Sequence, residues 1–355
     1  METHPPESPL RWGILSTARI IRRNWPSMLG SGSARLVGIA SREPGKAERF
    51  IAEMQETHPW PEAPRAFGSY EELLERPDID AVYVPLPTGI RKEWVIRAAE
   101  TGKHVLCEKP CAVSTEDLLE MTEACARHGV LFMDGVMFMH DPRYVSLGRI
   151  LDDGLTVGQV KRITSAFSFR GDDGFAGKDI RSQAAMEPAG CLGDLGWYCL
   201  RASLWAVRWE LPRRVYGRVL ESSGDAIMEF SGELEFAEGA SAAFHCSFLS
   251  PDQQWLNISG TKGNLRVADF VLPVLENDTD WENGWQRVPR GPEEMSSASR
   301  MFARFADEVR KEKPDTRWAK ISLKTQQVQD ACLQSARLGR AVVLRQTDDV
   351  RVSYD

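Results

Sequence analysis

The stretch Trp12-Gly-Ile-Leu-Ser-Thr-Ala-Arg-Ile20 decides how the first part of this chain folds. A short apolar run ends in small residues, and an amphipathic segment follows at once. This start is typical of a dinucleotide-binding unit, in which a tight turn brings the backbone close to a pyrophosphate at a helix N-terminus. Measured against the template G-x-G-x-x-G, Ser16 and Ala18 replace the first two glycines and Ile21 the third. A generic strand-to-helix turn therefore fits the segment as well.

Outward from this turn, short apolar runs alternate with amphipathic stretches. Alternation of this kind predicts βαβ units around a parallel sheet. After Pro142 the pattern changes, and four runs of period-two alternation predict an antiparallel sheet with one covered face. We therefore predict an N-terminal α/β Rossmann domain with a doubly wound parallel sheet over residues 1–135. Residues 136–355 are predicted to form an α+β domain with an open, mostly antiparallel sheet.

The element boundaries follow from the same patterns. The predicted strands are 12–15, 36–40, 81–84, 104–107, 130–133, 160–169, 215–219, 226–236, 241–248 and 255–259. The predicted helices are 46–55, 70–75, 92–101, 116–127, 192–206, 301–310 and 322–338. Residues 171–185 are predicted to form a loop and 278–299 an exposed excursion.

Composition excludes several classes of protein. The 355 residues are 42% hydrophobic and 27% charged, which is ordinary for a globular protein. With 44 basic and 51 acidic residues the net charge is −7, which argues against a nucleic-acid partner. Seven cysteines without a C-x-x-C pair and six scattered histidines predict neither a disulfide framework nor a metal site. There is no signal-peptide pattern and no apolar run near the ~20 residues that span a membrane, so we expect a cytoplasmic protein without a membrane partner.

The end of the second predicted strand bears on the choice of nucleotide. An NAD site usually carries an acidic residue there, to accept a hydrogen bond from the ribose 2′-hydroxyl. Here the strand runs into Ser41 and Arg42, with Lys46 one turn later. An arginine at this place suits a 2′-phosphate, so we expect NADP(H) to be preferred over NAD(H). The alternative is that Arg42 is a solvated loop residue.

Two further segments follow strands whose carboxyl ends bind ligands in doubly wound folds. They are Pro85-Leu86-Pro87-Thr88 and Glu108-Lys109-Pro110. A lysine in such a crevice can hold a substrate hydroxyl and lower the pKa of a neighbouring group. The candidate cofactor-binding residues are Ser16, Thr17, Ala18, Arg19, Ile20, Ser41, Arg42, Lys46, Pro85, Leu86, Pro87, Thr88, Glu108 and Lys109.

In the second domain, Gly190-Cys-Leu-Gly-Asp194-Leu-Gly-Trp-Tyr198 opens the long predicted helix. Asp194 and Tyr198 are four residues apart and would share one helix face. Each also has a structural explanation, since Asp194 could cap the helix and Tyr198 could be a half-buried core aromatic.

Together these motifs resemble the glucose–fructose oxidoreductase/inositol dehydrogenase/MocA family, over most of the chain. The shared motifs are G-I-L-S-T-A, P-L-P-T, E-K-P, M-D-G-x-M-x-x-H-x-P-R and G-D-x-G-W-Y. They stand at 13–18, 85–88, 108–110, 133–143 and 193–198. The branch with dihydrodiol and D-xylose dehydrogenases is especially similar, and the Ser-Thr-Ala turn is normal there.

The resemblance implies an NADP(H)-binding Rossmann domain and a second domain that supplies the substrate pocket and, in many members, a dimer interface. We therefore expect a homodimer formed through the C-terminal sheet. Lys109 matches the family's catalytic lysine, Tyr198 its proton donor or acceptor, and Asp194 the carboxylate that orients the pocket. Two departures are Arg91, where many relatives have histidine, and Ile21, where they have a small residue in the first helix.

The expected reaction is reversible hydride transfer between nicotinamide and a CH–OH or carbonyl group of a sugar, polyol or cyclic diol. Tyr198 would be the acid/base, and the ammonium of Lys109 would lower its pKa from near 10. The candidate substrate-binding residues are Phe138, Arg143, Arg181 and Trp197. The alternatives are a non-catalytic NADP-binding sensor and a cofactor-retaining lyase or glycosidase on the same fold.

Overall fold

The computed structural model describes residues 8–172, 174–272 and 295–344, and the backbone of Trp285–Gln286. The predicted fold class is confirmed, because the described residues form one parallel sheet and one mixed, mostly antiparallel sheet. The chain divides into two compact units. The first contains the chain up to Cys111, Leu119–His140 and the stretch that ends at Ala319. The second contains Ala112–Leu118, the stretch from Asp141 and the chain from Lys320 onward.

The sheet of the first unit has six described strands, all paired in parallel in the order β3-β2-β1-β4-β5-β6. This order is that of the doubly wound dinucleotide-binding fold, and the connection reverses direction between β1 and β4. Ligands bind in this fold at the carboxyl ends of the strands next to the reversal. The strands are β1 Leu10–Leu15, β2 Ala34–Ala40, β3 Arg65–Phe67, β4 Ala81–Val84, β5 His104–Cys107 and β6 Phe132–Asp134.

The sheet of the second unit has eight described strands in the order β13-β12-β11-β7-β10-β9-β8-β14. Two pairs, β7 with β10 and β12 with β13, are parallel, and the other neighbours are antiparallel. Buried side chains alternate along β10, as expected for a sheet with one covered face. The strands are β7 Val160–Ser168, β8 Arg214–Ser223, β9 Ala226–Glu235, β10 Ser241–Ser247, β11 Gln253–Gly260, β12 Asn264–Val267, β13 Trp285–Gln286 and β14 Val342–Val343.

The helices follow the predicted order, with additions. The described residues form α1 Ile20–Leu29, α2 Lys46–Thr57, α3 Tyr70–Leu74, α4 Thr88–Glu100, α5 Thr115–Arg127, α6 Pro142–Asp152, α7 Phe175–Lys178, α8 Trp197–Ala206, α9 Ser297–Val309 and α10 Arg317–Leu338. Ser114 caps α5, since its hydroxyl accepts the amide of Asp117 at 3.2 Å. The short strands β3, β12, β13 and β14 and the helix α6 have no counterpart among the sequence predictions.

Three predicted segments differ from the structure in more than their bounds. The loop at 171–185 contains the turn α7 and a 3₁₀ turn at Ile180–Ser182. The single helix predicted over 192–206 is a π-helical turn, Leu192–Gly196, followed by α8. Most of the predicted excursion at 278–299 lies outside the described residues, but Ser297–Ser299 is buried in the first turn of α9.

The closing helix α9 belongs to the first unit, whereas the sequence-based division assigned it to the second domain. Its Phe302 meets the ring of Trp12 edge to face, with centroids 5.6 Å apart, and Phe305 lies 4.8 Å from the same ring. Trp12 is fully buried in β1. The aromatic contacts explain the assignment, because burial of such large rings dominates core energetics.

Candidate active site

The turn after β1 has the conformation that a phosphate turn requires. Ser16 adopts φ +111°, a left-handed value that usually calls for glycine, at the place of the first template glycine. Its hydroxyl accepts the amide of Ala18 at 3.2 Å, and its own amide donates to the carbonyl of Ala40 at 3.0 Å. Thr17 is half-buried, whereas Arg19 and Ile20 are exposed where α1 begins. Arg19, at the N-cap position, makes no side-chain capping hydrogen bond, and a helix start of this kind is where dinucleotide-binding folds hold an anion.

The residues after β2 fit a nucleotide whose ribose carries a phosphate group. Arg42 is exposed, and its guanidinium lies 5.6 Å from the ring of Tyr70. Ser41 is buried, and its hydroxyl accepts the amide of Glu43 at 3.2 Å. Lys46 forms an ion pair with Glu43 at 2.9 Å, and the hydrogen bond from Lys46 lowers the pKa of that carboxyl. Part of the charge of Lys46 is therefore balanced locally.

Arg91 holds the two loops at the ends of β4 and β5. Its side chain is 3% exposed. Nε donates to the carbonyl of Leu86 at 2.9 Å, and Nη1 to the carbonyl of Glu108 at 2.8 Å and to that of Pro110. Arg91 thus joins the loop Pro85–Thr88 to the Glu-Lys-Pro segment, a role that sequence reasoning missed. Its signal was the departure from the family's histidine.

Glu108 and Lys109 lie directly after β5, and the Lys109–Pro110 peptide bond is cis. Glu108 is buried, and Lys109 is half-buried. Burial raises the pKa of the Glu108 carboxyl, although the charge of Lys109 and a hydrogen bond from Tyr83 oppose the rise. Tyr83 was not singled out from the sequence, because it reads there as a core residue of a buried strand.

In the second unit the π-helical turn carries Asp194 and leads into α8 with Tyr198. Gly190, before this turn, has φ +48°, and a Cβ there would lie 2.3 Å from the carbonyl oxygen of Ile227. Glycine is therefore required for the close approach to β9. The side chain of Asp194 is 19% exposed, and Tyr198 is 9% exposed with its ring 5.5 Å from that of Phe167. π-helical turns occur frequently at functional sites.

The structure brings Arg181 and Asp194 together, which sequence reasoning predicted only as two separate pocket residues. Arg181 Nη1 lies 3.6 Å from Asp194 Oδ2, and Nε lies 3.2 Å from Asp179 Oδ1. The guanidinium also lies 5.4 Å from the ring of Phe169. With the Arg181 side chain 31% exposed, this cluster offers a guanidinium and a carboxylate for hydroxyl groups.

The other predicted substrate residues are placed differently. Arg143 is buried, and its guanidinium donates to Asp141 at 3.0 Å and to Asp269 at 2.9 Å. These two carboxylates engage all three guanidinium nitrogens of Arg143. Phe138 and Trp197 are fully buried. In the described part of the chain no three His, Cys, Asp or Glu side chains form a cluster suited to a metal ion.

No helix in the described ranges is both long and apolar enough to cross a lipid bilayer.

Known proteins resemble this chain along nearly its whole length. Residues 10–136 match the family described as an oxidoreductase family with an NAD-binding Rossmann fold, and residues 144–266 match the GFO/IDH/MocA C-terminal domain. The D-xylose 1-dehydrogenase (NADP(+)) 2 of Haloferax volcanii is 30% identical over 338 residues, which cover 94% of this chain and 100% of that protein. The trans-1,2-dihydrobenzene-1,2-diol dehydrogenase of Mus musculus is 28% identical, covering 78% and 84%.

Among solved structures, a 3-ketoreductase from Actinomadura kijaniata in complex with NADP and TDP-benzene aligns with a TM-score of 0.80 at 25% identity. The alignment covers 92% of this chain and 98% of that one. Both domains match the family, a relative is 30% identical over nearly the whole chain, and the first sheet has the strand order of a dinucleotide-binding fold. The chain therefore belongs to the Gfo/Idh/MocA family of oxidoreductases.

Proposed function

We propose that this protein is an NADP(H)-dependent oxidoreductase that acts on a CH–OH or carbonyl group of a sugar, polyol or cyclic diol. The observation that carries the proposal is the Glu108-Lys109 segment, held by Arg91 at the carboxyl end of β5 in a dinucleotide-binding sheet. The relatives support the proposal, since by their names they act on a sugar, a dihydrodiol or a ketone.

The residues of the first unit fit an NADP(H) cofactor. The left-handed turn at Ser16 and the start of α1 would hold the pyrophosphate, and exposed Arg42 would pair with the 2′-phosphate. The loop Pro85–Thr88 and the Glu108-Lys109 segment would border the nicotinamide half. When bound, this cofactor supplies or accepts the hydride.

The remaining chemistry is proton transfer and orientation by the protein. Tyr198 would take the proton of the reacting hydroxyl, or return it in the reductive direction. Lys109, which the family resemblance makes the catalytic lysine, would hold that hydroxyl by hydrogen bonding. Arg181 and Asp194, 3.6 Å apart, would bind neighbouring substrate hydroxyls and so select the carbon that reacts.

The test is turnover with NADP⁺ over a panel of aldoses, polyols and trans-diols, followed as reduced nicotinamide. Wild type, Lys109→Ala, Tyr198→Phe and the double variant are compared, with NADPH titrated into each. We expect each single change to lower turnover by about 10²–10⁴-fold, as loss of acid/base catalysis does. Because Lys109 and Tyr198 would serve one proton transfer, the double variant should lose much less than the product of the two single losses.

Other results would contradict the proposal. Near-normal turnover by Tyr198→Phe would remove the acid/base assignment. Tight NADPH binding without turnover by the wild type in either direction would instead favour an NADP-binding sensor. Consumption of substrate without net reduced cofactor would favour a cofactor-retaining lyase or glycosidase. The homodimer and the cytoplasmic location stay predictions.

A further inference from the structure

A chain of buried hydrogen bonds in the first unit ends at the backbone of Lys109. It begins in α1, where the side-chain amide Nδ2 of Asn24 donates to the hydroxyl of Tyr83 at 2.7 Å. The Tyr83 hydroxyl donates to Glu108 Oε1 at 2.5 Å. The amide of Lys109 donates to the other carboxylate oxygen, Oε2, at 3.2 Å. The chain therefore runs from the helix after the phosphate turn, through the centre of β4, to the proposed catalytic lysine.

The three side chains that form these hydrogen bonds are buried. Asn24 is 7%, Tyr83 0% and Glu108 9% exposed, so water cannot readily replace a missing partner. Hydrogen bonds are electrostatically stronger in such surroundings and polarise one another along a chain. Gly135 leaves the space that the carboxylate occupies, because a Cβ at that position would lie 3.1 Å from Glu108 Oε1.

The direction of each hydrogen bond follows from the chemistry of the groups. The Tyr83 hydroxyl donates to Glu108 and accepts from the Asn24 amide, and both oxygens of Glu108 act as acceptors. Burial raises the pKa of Tyr83 well above its ordinary value, and the nearby Glu108 charge adds to the rise. Tyr83 therefore keeps its proton. Each oxygen of Glu108 accepts one hydrogen bond, and the carboxylate is fixed from both sides.

We propose that Tyr83 and Asn24 are positioning residues for Lys109. They hold the Glu108 carboxylate, which in turn holds the peptide plane from which the Lys109 side chain departs. Small displacements of a reacting group cost rate steeply, so fixing this plane fixes where the ammonium meets the substrate hydroxyl. The inference rests on the proposed function of Lys109 for its effect on turnover.

The test compares Tyr83→Phe with Tyr144→Phe in the full-length protein. Tyr144 is a matched control, because its hydroxyl is also buried and donates to a backbone carbonyl, that of Phe270, at 3.2 Å. We expect Tyr83→Phe to lower kcat by about 10–100-fold, with little change in NADPH affinity. Hydrogen–deuterium exchange at the Lys109 amide, read by fragmentation mass spectrometry, should become faster in Tyr83→Phe and stay as in wild type in Tyr144→Phe.

Normal kcat together with normal Lys109 exchange in Tyr83→Phe would overturn the inference. Equal effects of both tyrosine variants would also overturn it, since they would reflect only a lost buried hydroxyl. If wild type turns over no substrate, the proposed function fails, and exchange at the Lys109 amide still decides whether Tyr83 holds this segment. If Tyr83→Phe does not fold, Asn24→Ala replaces it, with the same but smaller effects expected, and wild-type behaviour there would overturn the inference.

Discussion

Replacing Arg91 by lysine tests how the two loops around the proposed nicotinamide site are held. The substitution keeps a positive charge on α4 but removes the planar group that donates in two directions. In wild type, one side of the guanidinium donates to the carbonyl of Leu86 and the other to those of Glu108 and Pro110. A lysine ammonium is a single point and can serve only one of these two sides.

The expected loss of stability follows from the hydrogen bonds on one side of the guanidinium, which lysine cannot replace. A hydrogen bond to a charged group contributes about 1.5–3 kcal/mol, and its loss costs somewhat more where it leaves a buried carbonyl without a partner. Losing one side of the fork should therefore lower the free energy of unfolding by about 2–4 kcal/mol. For a unit of this size that corresponds to a fall in Tm of roughly 5–10 °C. Because both loops border the proposed cofactor site, the Kd for NADPH should also rise about tenfold, or ~1.4 kcal/mol.

The assay is thermal unfolding and fluorescence titration with NADPH, with Arg97→Lys as the matched control. Arg97 lies on the same helix, is 43% exposed, and pairs with Glu71 and Glu93 at 2.8 and 2.7 Å. Exposed pairs of this kind contribute ~1 kcal/mol or less, so the control should change little. Equal shifts for the two variants, or unchanged NADPH affinity in Arg91→Lys, would refute the reasoning about Arg91.

Two further predictions concern the first unit. Arg42→Ala should raise the Kd for NADPH about tenfold and leave that for NADH unchanged, because only NADPH carries the 2′-phosphate that an arginine pairs with; equal weakening in fluorescence titrations would contradict the cofactor preference. Asp80→Asn should lower the free energy of unfolding by about 1 kcal/mol at pH 7, after allowance for screening of this one-third-exposed pair with Arg11. Burial raises the pKa of Asp80, but the hydrogen bonds from Arg11 lower it by a larger amount. The pKa of Asp80 in the folded protein is therefore below its ordinary value. The stabilisation is therefore present above the unfolded pKa near 4 and is lost as pH falls through the folded value. Urea unfolding at pH 7 and pH 3 should show a difference between wild type and variant that shrinks at low pH, and a constant difference would contradict this account.

The class of both domains and most elements of the first follow from the pattern of residues along the chain. Strands 81–84 and 104–107 were predicted with the bounds that the structure has, because continuous apolar runs between turn residues are typical of strands buried on both faces. The small residues after β1 and the Glu-Lys-Pro segment marked the ends of strands β1 and β5. Strands and turns of this kind depend on neighbouring residues, so the spacing of apolar residues along the chain is enough to predict them.

The contacts that hold these segments cannot be read from the sequence pattern and form only in the packed chain. The partners of Arg91 are backbone carbonyls, which carry no sequence signal. The hydrogen bonds of Tyr83 join residues 59 and 25 positions away, on α1 and after β5. α9 joined the first unit because Phe302 and Phe305 bury their rings against Trp12. Arg181 lies 3.6 Å from Asp194 because the segment around α7 folds back towards the π-helical turn. Each of these contacts depends on distance in space, which the order of residues along the chain does not give. Burial, which determines the strength of these contacts, exists only once the chain has packed.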